Sequence, residues 1–458
     1  MTDGADRALA YARDHRDSFL RHLEELLRVP SVSALPEHAG DMRRAAALVR
    51  DRLETMGVSA KLIEGDGHPI VYGEWLEAEG APTVLLYGHY DVQPPDPLEL
   101  WTSPPFEPDI RNGNIYARGA ADDKGQVLTM LNAAESYLRG QGRLPVNLKF
   151  LIEGEEEVGG RVVEGFVSSH PESLTADFTQ VADSHMFAPG LPTLETGLRG
   201  NLFTEVYARG ASHDLHSGLY GGVAPNPLNA LAHLIAGLKD RDSRIQIPGF
   251  YDDVRMPSDE VLRSWRQLPF DEESFLRDEV GATQLTGEPA YTVLERIWAR
   301  PTLDVHGIPG GFTGHGAKTV IPAEASAKIS MRLVPDQDPG RILELLRARV
   351  MELASPGIRL EVKVLGSGKP VEVPSDTRWI RTAQNALRET FGRDTLLARS
   401  GGSIPIVGLF AEHLALDTVL MGWGLPDDNL HSPNEKFSLE NFQKGTEATI
   451  RFWDLLAA

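Results

Sequence analysis

Five short polar stretches carry acids and histidines that could do chemistry if they met. They are "GHYD" (Gly88 to Asp91), "RGAADDKG" (Arg118 to Gly125), "EGEEEVGG" (Glu153 to Gly160), "QVADSH" (Gln180 to His185) and "DNLHSPNE" (Asp428 to Glu435). Singly they say little. A histidine near an acid is commonplace, acidic turns are usually solvated, and acids are favoured at a helix start by its dipole. Together, three acidic side chains and two histidines would make a poor cluster without a cation, because like charges repel and buried charges are costly unless paired. Two divalent ions resolve the conflict. Asp122, Glu157 and Asp183 bring a formal −3 against +4, and the remaining positive charge favours a bound hydroxide, the nucleophile that hydrolysis at neutral pH needs. Imidazole and carboxylate ligands suit Zn²⁺, and also Co²⁺ or Mn²⁺.

The elements around these stretches could bring them together. "VLLYGHYDVQPP" (Val84 to Pro95) starts as a buried strand, turns polar, and is stopped by Pro94 and Pro95. Helix-like segments such as "DMRRAAALVRDRLETMGV" and "KGQVLTMLNAAESYLRG" alternate with strand-like ones such as "PTVLLYGHYDV" and "VNLKFLIEG". This predicts an α/β domain with helices on both faces of a central sheet. In such a sheet the loops at the carboxyl ends of the strands converge on one rim, where ligands bind. Near Gly197 the pattern changes. The strands "NLFTEVYARG", "ASAKISMRLVP" and "IRLEVKVLG" alternate with the helices "PNPLNALAHLIAGLKD" and "PGRILELLRARVMELA", and a long irregular stretch interrupts them. A small sheet with helices on one face follows. The simplest organisation is a main α/β domain formed by residues 1–197 and 371–458, with an α+β domain of residues 198–370 inserted between.

Bulk properties agree. At 458 residues, two domains are the default, and 41% hydrophobic with 24% charged residues is the composition of a globular protein. No run of about 18 apolar residues is present, so no membrane span is expected. The charged opening "MTDGADRALAYARDHRDSFL" reads as an amphipathic helix, not a signal peptide. The absence of cysteine excludes disulfides and thiolate zinc sites and is compatible with a cytoplasmic address. With 45 basic against 66 acidic residues, the net charge of −21 argues against a nucleic-acid partner.

The segments "GHYDVQP", "ADDKG", "EGEEEVG", "VADS" and "LHSPNEK" resemble, in order and spacing, the five metal-site segments of the M20 metallopeptidases. "GLRG", "DLHSGLYGG", "GAKTVIP", "RLVP" and "GGSIP" are similar to the non-specific dipeptidase and carnosinase branch. The resemblance covers nearly the whole chain and implies a zinc-peptidase-like fold with a central mixed sheet. It makes His89 and Asp183 ligands of one metal, Glu157 and His431 ligands of the other, and Asp122 the bridge. Asp91 would orient the His89 imidazole, as metal-bound histidines usually require. Glu156 would be the general base, later returning the proton to the leaving amine. Glu155 would lie outside the site, solvated or in a supporting position. The inserted domain would be a lid and dimerisation domain, with His216 reaching the partner subunit's site in a homodimer to stabilise the oxyanion. Arg332 would clamp the substrate's terminal carboxylate. Thr319, Gly401, Gly402 and Ser403 would offer further substrate contacts. His306 and His315 lie in a glycine-rich stretch that could shape specificity, without an assigned role.

Dipeptide hydrolysis is the reading that follows. A deacylase of the same fold, cutting a small acyl group from an amino acid, would share every metal ligand and differ only in pocket residues of the lid. A metal-stabilised binding protein without catalysis would have no need of Glu156.

Overall fold

The computed structural model describes residues 2–266, 268–402 and 404–458, without the side chains of residues 260 and 264. The chain divides into two compact units: residues 1–196, 373–398 and 409–458 form the first, and residues 197–372 and 399–408 the second.

The first unit is built on a mixed sheet. Its strands run in the order Ser59–Ile63, Ile70–Trp75, Asn147–Glu153, Thr83–His89, Phe178–Val181, Thr418–Leu420, Thr193–Leu198. Strand Thr83–His89 lies parallel to Asn147–Glu153 on one side and to Phe178–Val181 on the other. It is apolar on both faces because Val84, Leu85, Leu86 and Tyr87 are all buried, as expected of a strand covered by helices on both sides. The parallel arrangement puts the carboxyl ends of all three strands on one rim. His89 is in register with Glu153, and Tyr87 with Val181.

Helix Lys124–Gly140 starts on that rim. Thirteen of its residues are buried, including Lys124, Gln126, Thr129 and Asn132, so it is a core helix and not an amphipathic surface one. Its buried polar groups are satisfied locally. Lys124 Nζ donates to the carbonyls of Leu26 and Val29, and Gln126 Oε1 accepts the Trp423 N–H. Helix Leu439–Leu456 is capped by Ser438, whose hydroxyl accepts the Asn441 N–H.

The second unit contains an antiparallel sheet in the order Thr302–Gly307, Glu324–Leu333, Gly200–Arg209, Arg359–Gly368. Helices Pro227–Leu238 and Pro339–Glu352 pack on it through Leu231, Leu234, Leu346 and Val350, against Val206, Ile329 and Met331. Both helices open with proline behind a polar cap: Asn226 accepts the Leu228 N–H and Asp338 the Arg341 N–H. Strand Thr302–Gly307 falls in the stretch read from sequence as irregular. It is short, follows Pro301 and runs into Ile308-Pro309-Gly310, so its flanks mask its alternation. Among the described residues no helix is long and apolar enough to cross a membrane.

Candidate metal centre

All the cluster residues but His431 sit at or close to the end or start of a strand or helix of the first unit. His89 is the last residue of its strand, Asp122 precedes helix Lys124–Gly140, and Asp183 lies two residues beyond strand Phe178–Val181. Glu156 and Glu157 form a short 3₁₀ turn after strand Asn147–Glu153. His431 arrives from the loop that follows strand Thr418–Leu420 and takes a left-handed φ of 58° there.

Two trios result, and they share one residue. Ligand atoms of His89, Asp122 and Asp183 lie within 4.8 Å of one another, and so do those of Asp122, Glu157 and His431. Asp122 turns one oxygen to each: Oδ1 is 3.0 Å from His89 Nε2, and Oδ2 is 2.9 Å from His431 Nε2. His89 Nε2 is also 3.9 Å from Asp183 Oδ2, and His431 Nε2 is 3.4 Å from Glu157 Oε2.

The cluster fits a cation. His89 is fully buried, yet its Nε2 has no well-aligned hydrogen-bond partner, an orphan of the kind that a metal ligand leaves when only the protein is counted. The carboxyls register the same conflict. Burial, then the negative charge of Asp122, pushes Asp183 up to about 7. Burial raises Glu156 well above the carboxylate range, with Asp183, Glu157 and Asp122 adding to it and His89 opposing. Burial also pushes Asp122 upward, but hydrogen bonds from His431 and His89 hold it below its ordinary value. Acids so crowded ionise together only when a cation joins them.

Asp91 has two tasks. His89 Nδ1 lies 3.1 Å from the Asp91 carbonyl oxygen and 3.3 Å from its Oδ1. The same carboxylate accepts the backbone N–H groups of Glu156 and Glu157, at 3.3 and 3.1 Å. The sequence reading expected the first contact and missed the second, which only the fold reveals. It also missed Gln93, whose Nε2 donates to Glu157 Oε2 at 2.7 Å, although "DVQP" stood two residues from a recognised position. Glu155 is buried rather than solvated, and it supports the turn. Its two oxygens accept the N–H groups of His68 and Val162, both at 3.0 Å.

The remaining candidates belong to the second unit. His216 is exposed on the two-residue strand Leu215–His216, where its Nδ1 accepts the Gly218 N–H at 2.9 Å and Thr319 lies beside it through the Ser217 N–H to Thr319 carbonyl bond. Arg332 is the penultimate residue of strand Glu324–Leu333, opposite Asn201 and Thr302, and lies over the Phe203 ring at 5.8 Å. The carbonyls of Gly401 and Gly402 accept from the Arg199 side chain and backbone, at 2.7 and 3.0 Å. His306 stands on strand Thr302–Gly307 with Nε2 against Ser330 Oγ, in the same cavity as Arg332. Ser403 lies outside the described residues.

A profile of the Peptidase family M20/M25/M40 matches residues 85–454. The chain belongs to this family. It is a metallopeptidase, and the two trios above could hold metal ions. Human Beta-Ala-His dipeptidase is 30% identical to this peptidase, over 98% of the chain and 92% of the relative. Cys-Gly metallodipeptidase DUG1 of Candida albicans is 31% identical, over 94% and 93%. The crystal structure of the M20 family metallo-carboxypeptidase Sso-CP2 from Sulfolobus solfataricus superposes with a TM-score of 0.88 at 33% identity, covering 96% of the chain and 99% of that structure.

Proposed function

We propose that the chain hydrolyses the peptide bond of dipeptides bearing a free C-terminal carboxylate, with two divalent cations, Zn²⁺ by ligand preference, held by His89, Asp122 and Asp183 and by Asp122, Glu157 and His431. The observation that carries this reading is the division of Asp122 between two imidazoles, one oxygen to each. The dipeptidases among its relatives supply the substrate class.

When bound, the cations supply Lewis acidity for the scissile carbonyl and lower the pKa of the attacking water. The chain's own residues do the rest. Glu156, adjacent to a ligand and raised by its buried acidic surroundings, accepts a proton from the attacking water and returns it to the departing amine. Asp91 fixes the His89 ring and, through two backbone N–H groups, the position of Glu156. Arg332 receives the terminal carboxylate on its planar guanidinium. Thr319, Gly401, Gly402 and Ser403 add polar contacts to the bound peptide. His216 acts in the partner subunit of a homodimer, donating to the oxyanion, and the second unit is the lid and dimerisation domain.

The experiment is a metal-replete assay on free dipeptides, the same dipeptides amidated at the C-terminus, N-acyl amino acids and longer peptides. Free dipeptides should be cleaved fastest, and amidation should cost more than any side-chain change. Preference for N-acyl amino acids would assign the chain to deacylation instead, and indifference to amidation would remove Arg332 from the site.

A further inference from the structure

In the second unit a cavity of about 400 Å³ is lined, among the described residues, by more cationic than anionic side chains. Five cationic side chains line it, Arg199, Lys239, Arg296, Arg300 and Arg332, against two carboxylates, Glu288 and Asp304. Three positive charges are therefore in excess, inside a chain whose net charge is −21.

The two carboxylates are already committed. Glu288 forms a bidentate pair with Arg300, at 2.8 and 2.9 Å, with both side chains buried. Asp304 is 3.6 Å from Lys239 Nζ, and its charge also reaches Arg199 and Arg332. Those two arginines feel each other: burial, then the charge of Arg332, lowers the Arg199 guanidinium to about 10.

Arg296 is built into the wall. Its Nε donates to the Glu288 carbonyl at 2.9 Å and its Nη1 to the Thr286 carbonyl at 3.2 Å. Gly287, between them, has a φ of 122°, and a Cβ there would stand 2.8 Å from Arg296 Cδ. Only glycine lets the backbone wrap the arginine so closely. Carbonyl oxygens satisfy hydrogen bonds but bring no formal charge, so the Arg296 charge is positioned without being neutralised.

One terminal carboxylate on Arg332 would offset a single excess charge. A second carboxylate on the same residue of the substrate would bring the cavity closer to balance, where shielding by water is weakest. Phe203 and Ile297 add apolar wall for the methylenes between them. We propose that this cavity selects dipeptides whose C-terminal residue is itself acidic, aspartate or glutamate, over their neutral isosteres. The proposal rests on the dipeptidase reading and on Arg332 as the carboxylate clamp.

The test compares kcat/KM for Ala-Glu, Ala-Gln and Ala-Ala on the metal-loaded enzyme. Ala-Glu should exceed Ala-Gln by about tenfold or more, the factor carried by one charge-assisted hydrogen bond, and the ratio should shrink as salt is added. In Arg296→Met the ratio should collapse towards unity, mainly through KM. Lys239→Met, which removes another charge from the same cavity, should narrow it independently if the first variant does not fold. Equal rates on Ala-Glu and Ala-Gln in the unmodified enzyme, or a preference that both variants leave intact, would overturn the proposal while leaving dipeptide hydrolysis in place. Failure to cleave any of the three would sink the dipeptidase reading and the preference with it.

Discussion

Glu435 holds the backbone of Asp122. One of its oxygens accepts the N–H groups of Ala121 and Asp122, at 2.9 and 3.1 Å, and the other accepts the Gly119 N–H at 2.9 Å and Arg118 Nη1 at 2.7 Å. The carboxylate is fully buried and Arg118 nearly so. The turn that presents Asp122, the residue common to both trios, is thus braced by a residue four positions beyond His431.

Replacing Glu435 with glutamine should therefore weaken the centre without touching a ligand. The amide turns donors towards backbone donors and leaves Arg118 buried without its counter-charge, a loss on the order of 3 kcal/mol. Urea unfolding of the metal-free variant measures that cost, and calorimetric titration with Zn²⁺ measures the affinity. Unchanged affinity would show that the turn keeps its shape unaided.

Glu156→Gln and Glu157→Gln should separate chemistry from metal binding. The first should keep its metal and lose turnover by about 10²–10⁴-fold, since the amide cannot accept the proton. The second should lose metal. Metal analysis of both purified variants decides the assignment, and an empty site in Glu156→Gln would shift base and ligand by one position.

Metal affinity should fall as pH is lowered. In the metal-free centre burial and Asp122 raise Asp183 to about 7, so below that pH a proton must leave before the cation enters. Affinity should drop by about tenfold per pH unit below 7 for each proton displaced, and level off above it as far as Asp183 is concerned. Titration in buffers of different ionisation enthalpy would count the protons released; a pH-independent affinity between 5 and 8 would contradict this account of Asp183.

His216→Ala should cost about 10²–10³-fold in turnover, as loss of one oxyanion donor does. Mixed and reassembled with Glu156→Gln, it should regain activity, because a hybrid dimer holds one site with both base and donor intact. Hybrids verified by mass and still inactive would confine His216 to its own subunit.

Much of this was legible in the sequence because strand ends are marked there. Four buried residues running into "GHYD" announce a core strand that stops on a rim, and the parallel neighbours bring their own acids to the same place. Supporting contacts were not legible. Asp91 reaches the N–H groups of Glu156 and Glu157, 65 and 66 positions away, and Glu435 reaches Asp122 across 313. No local pattern encodes such pairs. Gln93 and Arg296 are ordinary polar residues until their partners are known. Strand Thr302–Gly307 was missed because proline and glycine at its flanks outweighed a six-residue alternation.

His431 lies 309 positions after Asp122, with the entire inserted stretch of the second unit between them in the chain. A ribosome making this protein produces His89, Asp122, Glu157 and Asp183 first, then the insertion, and only afterwards the remaining imidazole together with the carboxylate that braces Asp122. A nascent chain can gather one trio early but not the other. On the proposed two-cation reading, hydrolytic competence is thereby deferred to the late stage of synthesis, when the insertion is already complete.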